Sequence, residues 1–510
     1  MNRRKFLSAA ALGGVAISLT SPTRLLAETK PAKRPNVLFI ISDDLTCALS
    51  GYGRRQCKTP HLDRLAKQGM QFNRAYTMNP VCGPARAAIM SGLSPWTTGV
   101  MGNYHNGPHG DKLRARVKNL VTLPQFLKAN GYHAARVSKI YHMGIPGEII
   151  DGTARADDKK SWDVAINVKA KEQNTPGKKE DCSPNMTHQG CDFVRVEADG
   201  PDNLHADVMA TDLALEMMPK LGKDKPFFLG VGLVRPHVPL VAPKRFFEPF
   251  PSKSMILAKA VKDDLKDVPP HALAMKNFPR YGMSVEQQKK SLSAYYASVS
   301  FMDAQVGRLL DGLKENGLED NTIVLFMSDH GWNLGEHDCW QKQSLWEDVI
   351  RTPLIISAPG MKAAGKQCDR IVEHTDIYPT LVELCGFTPP EILPGQSMTA
   401  LLDDPASKAW NDKPAYTVTQ RGAGESLRTD NWHLNLWYDG KKGTELYDVK
   451  ADPGEFTNLA KDPKHAETVK QLSATLRKIR AKFNGKIPAV RPPKREKKSP
   501  KKSPKKPAKK

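Results

Sequence analysis

The chain has 510 residues, 40% of them apolar and 25% charged, with a formal net charge of +22. An apolar fraction of that size excludes a wholly disordered polypeptide, and eight cysteines over this length exclude a disulfide-scaffold protein. The length suits one large domain with a smaller one beside it.

The opening MNRRKFLSAAALGGVAISL sets Arg3 and Arg4 before an apolar run from Phe6 to Leu19. That run is too short to span a bilayer comfortably and has the layout of an export leader, here of twin-arginine type, over residues 1–27. The expectation is an exported protein, periplasmic or extracellular. RPNVLFIISDD follows, apolar without alternation as in a strand buried on both faces, and ends in Asp43 and Asp44. TPHLDRLAKQGM has helical spacing closed by Gly69.

Cys82 precedes Gly83, Pro84, Ala85 and Arg86 at the start of a further helix, an odd place for a lone thiol in an exported chain. GDKLRARVKN supplies Lys112, Arg114 and Arg116, which suit an anionic partner and equally a solvent-facing basic segment. SKIYH carries Lys139 and His142. Cys182 and Cys191 flank the polar DCSPNMTHQGC and could bridge after export. The other cysteines apart from Cys82 read as buried small apolar residues. KPFFLGVGLV predicts another buried strand and leads to RPHVP with His237, and LSAYYASVSFMDAQVGRLLDGLKENG predicts a long helix.

NTIVLFMSDHG repeats the design of the first strand and ends in Ser328, Asp329, His330 and Gly331. In open α/β sheets functional groups gather beyond the carboxyl ends of strands, so two strands that end alike bring Asp43, Asp44, Asp329 and His330 together. One Asp-Asp pair alone would serve equally as a cap. Matched endings favour a shared cation, because clustered carboxylates raise one another's pKa unless something neutralises them. Oxygen ligands point to Ca²⁺ or Mg²⁺. WQKQS then carries Lys342, among Trp332, Trp340 and Trp346, whose rings suit a ligand to stack on or the core. TPLIISAPG adds a strand, and the alternation of strand and helix predicts an α/β doubly wound sheet.

From about Pro394 short segments (AYTVTQ, SLRTDNWHLNLWY, ELYDV) predict a small antiparallel sheet, and HAETVKQLSATLRKIRAKF a closing helix. The tail 491–510 holds eleven basic residues and one acidic one. It is expected to be disordered, either as a solvated extension or as an adhesive for polyanions. Without the tail and the leader the body carries roughly +8, basic but unexceptional.

CGPARAAIMSG resembles the sulfatase signature Cys-x-Pro-x-Arg, with Ala85 where the family usually has Ser. SDHGWNLGEHDCWQKQSLWEDVIRTPLIISAPG, SKIYHMGIPG, VGLVRPHVPLVAPKRF, YYASVSFMDAQVGRLLDGL and TELYDVKADPGEFTNLA are similar in order and spacing to sulfatases, nearest the iduronate-2-sulfatase branch. The resemblance covers nearly all of residues 35 to 480. It implies an alkaline-phosphatase-like α/β fold of mixed sheet and flanking helices, with a catalytic domain over 34–393 and a C-terminal subdomain over 394–490. It further implies a sulfuric ester hydrolase with one Ca²⁺, whose Cys82 is oxidised to formylglycine by dedicated maturation machinery before folding. One hydroxyl of the hydrated aldehyde attacks sulfur and the other later expels sulfate. By matching motif, Asp43, Asp44, Asp329, His330 and the modified Cys82 bind calcium, and Arg86 fixes the modified residue. Lys139 and Lys342 hold sulfate, His142 assists the collapsing hydroxyl, and His237 protonates the leaving alcohol. The substrate class implied is a sulfated saccharide, a 2-O-sulfated uronate foremost. Two alternatives stay open: a phosphonate monoester or phosphodiester hydrolase of the same superfamily, and a non-catalytic relative that docks on polyanions.

Overall fold

Every residue of strand β1 (Asn36–Asp43) is buried, and its side chains alternate between two cores. Val37, Phe39 and Ile41 join one cluster, Leu38 and Ile40 the other. Two covered faces explain an apolar run without polar alternation, and each such side chain contributes about 1.5–3 kcal/mol on burial. The computed structural model describes residues 33–53, 56–103, 109–184, 192–273 and 280–485, without the side chains of 109–112. The predicted leader, the basic tail, Cys191 and the Lys112 side chain lie outside the described residues.

After β1 come β2 (Met70–Tyr76), β3 (His133–Ser138), β4 (Val164–Ile166), β5 (Gly177–Asp181), β6 (Val194–Ala198), β7 (Phe227–Pro236) and β8 (Leu240–Pro243). The chain continues through β9 (Thr322–Ser328), β10 (Asn333–Leu334), β11 (Trp340–Gln341), β12 (Arg351–Ser357), β13 (Gln367–Cys368) and β14 (Val372–Glu373). The main sheet has the order β13-β2-β12-β9-β1-β7-β3-β4, with β14 beside β2. Its centre, β9-β1-β7-β3, is parallel, whereas β12 runs antiparallel to both β9 and β2.

Helices Pro60–Gln68, Ala206–Leu221 and Val285–Glu315 cover one face. Helices Cys82–Ser91, Leu123–Ala129 and Ile377–Leu384 cover the other. The doubly wound sheet expected from the alternation is therefore present, with the mixed strand directions that the family resemblance implies. The long helix begins at a capping box, in which the Ser284 hydroxyl accepts from the Gln287 N–H and the Gln287 side chain accepts from the Ser284 N–H. A three-stranded sheet, β5-β6-β8, has no counterpart in the sequence reading, because GKKED in β5 is polar and mostly exposed. No helix among the described residues is long and apolar enough to cross a membrane.

Strands β15 (Ala415–Thr419), β16 (Gly424–Arg428), β17 (Trp432–Trp437) and β18 (Thr444–Asp448) form the expected C-terminal antiparallel sheet, followed by helix Ala466–Lys482. Its apolar face shares one cluster with Met78, Ala88 and Trp96, the surroundings of the Cys82 helix. The Thr417 hydroxyl donates to the Thr77 carbonyl at 2.6 Å, and the Val418 N–H donates to the Met78 carbonyl at 3.0 Å.

Cys47, Cys57, Cys182, Cys339, Cys368 and Cys385 are all buried, as small apolar residues would be. Gly232 marks the closest approach in the sheet: a Cβ there would lie 2.2 Å from the Lys139 carbonyl oxygen. Gly232→Ala is expected to destabilise the fold by about 1–3 kcal/mol through overpacking, read as a lower thermal midpoint. An unchanged midpoint would mean that the two backbones are not so close.

Candidate active site at the carboxyl edge of the sheet

The neighbouring strands β1 and β9 pair in register, Ser42 opposite Ser328, so their acidic endings emerge side by side. A strand sends successive side chains to opposite faces, yet Asp43 and Asp44 both serve one site. The alternation breaks because Asp44 has φ 60, a left-handed turn that Asp tolerates better than most residues. Ser138 (φ 61) does the same at the end of β3, directly before Lys139. Gln341 (φ 78) and Gln343 (φ 76) bracket Lys342. The Asp44 carbonyl is pinned by the Tyr295 hydroxyl at 2.8 Å.

Helix Cys82–Ser91 is buried throughout and begins at the thiol itself. Pro84 costs no hydrogen bond in a first turn, and the Gly83 N–H donates to Asn103 Oδ1 at 2.8 Å. The positive end of the helix therefore faces whatever residue 82 carries. Arg86, one turn on and fully buried, reaches beneath the site. Its Nε donates to Asp329 Oδ2 at 2.8 Å, its Nη1 donates to the Lys139 carbonyl, and its Nη2 lies 3.5 Å from Asp43 Oδ1.

The ten residues to which the family resemblance gives a role all meet in one network. Lys342 Nζ donates to Asp44 Oδ1 at 2.6 Å and lies 3.2 Å from Cys82 Sγ. His330 Nε2 is 3.3 Å from the same sulfur and 3.4 Å from Asp44 Oδ1. Lys139 pairs with Asp43, the buried His142 ring lies near enough to Cys82 to interact with it, and His237 Nε2 sits 3.5 Å from Asp44 Oδ2. The His237 Nδ1 is 2.5 Å from the Val238 carbonyl, so Nε2 is the nitrogen turned to the carboxylate. None of the ten is more than 7% exposed.

This packing sets the titration. Burial alone would raise the Cys82 thiol, but Lys342, Lys139 and His330 hold it well below the usual thiol range. Burial instead pushes Cys368 and Cys385 up to about 11. Burial and Cys82 push Asp43 up, and Lys139, His237 and Arg86 prevail to keep it below the usual carboxylate range. Asp329 rises to about 6, driven by burial against Arg86 and His330. Burial opposes the His330 cation, yet Asp329 and Cys82 raise its pKa to about 9. His142, pulled down to about 4 by burial, is neutral at pH 7.

The donor set fits a metal ion. One ligand atom each from Asp43, Asp44, Cys82 and His330 lie within 4.8 Å of one another. Asp43 Oδ1 and Asp44 Oδ2 are buried without a hydrogen-bond partner, a state that a carboxylate oxygen leaves by binding a cation. Asp329 stands outside that group of four. Its Oδ2 accepts from Arg86, and its Oδ1 accepts from the backbone N–H groups of Asp44 and His330 at 3.3 and 3.0 Å.

Several sequence candidates point elsewhere. Arg114 is tied to Asp158 at 2.6 Å and to Gln125 Oε1 at 2.8 Å, and Arg116 donates to the Trp96 carbonyl at 3.1 Å; neither is a free substrate contact. Trp332, Trp340 and Trp346 are each 2% exposed and so belong to the core rather than to a sugar face. Trp332 packs on Phe193 with the Lys342 ammonium 5.5 Å above its ring, while Trp346 stacks on His337.

A supporting layer was not legible in the sequence. Arg235, the first residue of RPHVP, donates to the His237 and Pro239 carbonyls at 2.9 and 2.8 Å and to Glu172 Oε2 at 2.6 Å. Asp207 accepts from the Val234 and Arg235 N–H groups at 2.7 and 3.0 Å. Glu172 lies some sixty residues before Arg235, with nothing local to announce the pairing.

The fold and this buried constellation are those of an esterase that handles a tetrahedral anion. The sulfatase family model matches residues 35–387, and a model described as N-sulphoglucosamine sulphohydrolase, C-terminal, matches 335–482. A sulfatase of Formosa agariphila is 33% identical over 477 residues, 90% of this chain and 89% of the relative. Human iduronate 2-sulfatase is 31% identical over 424 residues, 75% of this chain and 74% of the relative. Among solved structures, the phosphonate monoester hydrolase of Agrobacterium radiobacter superposes with a TM-score of 0.72 at 22% identity, covering 88% of this chain and 96% of its own. The chain belongs to the sulfatase family, the sulfuric ester hydrolases.

Glu172→Ala leaves the Arg235 guanidinium buried and unpaired, which is expected to cost about 3–5 kcal/mol, measured by urea unfolding. A loss below about 1 kcal/mol, the size of an exposed pair, would mean that the ion pair does not brace the His237 loop.

Proposed function

We propose that the chain is an exported sulfatase that hydrolyses sulfate esters of saccharides, a 2-O-sulfated uronate foremost, through a formylglycine made from Cys82. The observation that carries this reading is the clustering of Lys139, Lys342, His142, His237 and two carboxylate oxygens without a hydrogen bond around one buried sulfur at a helix N-terminus. The likeness to human iduronate 2-sulfatase supports the substrate class. The leader supports export to the periplasm or beyond, with maturation machinery as a transient partner. The basic tail suits adhesion to polyanions.

Calcium held by Asp43, Asp44, Asp329, His330 and residue 82 would supply Lewis-acid polarisation of a sulfate oxygen. Formylglycine at position 82 would supply paired hydroxyls, one to attack sulfur and one to release sulfate afterwards. The remaining chemistry belongs to the chain. Lys139 and Lys342 bind sulfate oxygens as point charges, where burial strengthens each contact. Arg86 fixes Asp329 and the Lys139 backbone, so that the helix start and the end of β3 keep their spacing. His142, neutral at pH 7, accepts the proton of the releasing hydroxyl. His237 delivers a proton from Nε2 to the departing alcohol, a contribution of roughly two to four powers of ten.

The activity is tested by paired rates on 4-nitrophenyl sulfate and bis-(4-nitrophenyl) phosphate with protein matured in its native host. Sulfate turnover exceeding phosphate turnover at least about a hundredfold, a gap near 2.7 kcal/mol, is expected. The reverse would assign the chain to the phosphonate and phosphodiester branch, and binding without turnover to a non-catalytic relative. Exhaustive chelation is expected to abolish turnover and added Ca²⁺ to restore it; full activity after chelation would remove the metal from the account. His237→Ala is expected to slow alkyl sulfates at least about tenfold more than aryl sulfates, since only the poorer leaving group needs its proton. Equal losses would reject the acid assignment.

A further inference from the structure

We propose that Arg421 binds a second anionic group on the substrate, a carboxylate or sulfate on the saccharide that carries the scissile ester. The proposal rests on the saccharide sulfatase reading above. The arginines near the site are otherwise committed: Arg86 to Asp329, Arg235 to Glu172, Arg114 to Asp158 and Arg116 to the Trp96 carbonyl. Arg421 is exposed, and among the described residues it makes no hydrogen bond or ion pair.

Its mount is rigid. Gln420, Arg421 and Gly422 have φ 47, 56 and 94, a left-handed turn between β15 and β16 that non-glycine residues adopt at a cost and that clusters at ligand-binding positions. Gly422 is pressed on the Trp96 ring, where a Cβ would come within 2.1 Å. Trp96 Nε1 in turn donates to the Tyr416 hydroxyl at 2.6 Å. The strand before the turn is bonded to Thr77 and Met78, in the segment that enters the Cys82 helix.

Its place is next to the segment that packs on the start of the Cys82 helix. Arg421 Nε lies 3.8 Å from the position a Cβ of Gly102 would take, so no side chain intervenes there. The Gly102 carbonyl is 3.2 Å from the corresponding position at Gly83, and Asn103 holds the Gly83 N–H; Cys82 is the next residue. A guanidinium on a fixed backbone turn, with no partner among the described residues, matches the planar fork of a carboxylate and also suits a sulfate.

The test compares kcat/KM of wild type, Arg421→Ala and Arg421→Lys on three substrates: a 2-O-sulfated uronate disaccharide, the same disaccharide as its uronate methyl ester, and 4-nitrophenyl sulfate. For Arg421→Ala the ratio of disaccharide to aryl sulfate kcat/KM is expected to fall 10- to 100-fold, mainly through KM, with partial recovery in Arg421→Lys. A loss confined to the free acid assigns the carboxylate as ligand; an equal loss on the ester of a disaccharide bearing a second sulfate assigns that sulfate. An unchanged ratio, or an equal loss on all substrates, overturns the proposal. Wild-type turnover of aryl sulfate without the disaccharide also overturns it while leaving the sulfatase reading intact. If wild type turns over neither, the catalytic reading fails by itself, and calorimetric titration of the disaccharide then decides, equal affinity for wild type and Arg421→Ala overturning the proposal.

Discussion

Three carboxylates are buried together at the carboxyl edge of the sheet, and the surrounding structure answers the electrostatic cost of that arrangement. Ionised groups removed from water persist only when opposite charge lies within a few ångströms. Asp43, Asp44 and Asp329 meet that condition through Lys139, Lys342, Arg86 and His330. Each cation arrives on a different element: the end of β3, the segment after β11, the Cys82 helix and the end of β9. The parallel centre β9-β1-β7-β3 is what lets four of the contributing segments end at one edge. Removing any one charge would leave its partners buried and unbalanced, so the site and the fold's stability are linked.

The same charges set residue 82 apart from the other buried thiols. Cys368 and Cys385 sit among apolar neighbours and keep their protons, whereas Cys82 lies between cations that favour a negative group. A site arranged to stabilise an anion on residue 82 is also arranged to receive a sulfate, since the helix end and the two lysines all favour negative charge. The C-terminal sheet belongs to this apparatus, because β15 is bonded to the segment leading into Cys82 and its terminal turn looks onto Gly102.

Sequence reading found the parts whose signal is local. β1 and β9 are uninterrupted apolar runs that end alike, and the pairing of Ser42 with Ser328 follows from that likeness. Family motifs then located Lys139, His142, His237 and Lys342, which spacing alone would have left as solvated or structural groups. Long-range partners escaped: Glu172 with Arg235, Asn103 with Gly83, and Arg421 with Gly102 are each decided by tertiary packing. For Arg114, Arg116 and the three tryptophans the sequence left both a functional and a structural role open, and partners and burial, which are not written in composition, decide for structure. The polar strand β5 was missed for a related reason, having no apolar face to announce it.

The central claim is that Cys82 is the precursor of an aldehyde, and it is tested most directly by the mass of the Cys82 peptide in protein isolated from its native host. The account predicts a formylglycine in place of the thiol. An intact cysteine in mature protein would contradict it, and the buried cations around residue 82 would then serve anion binding without hydrolysis.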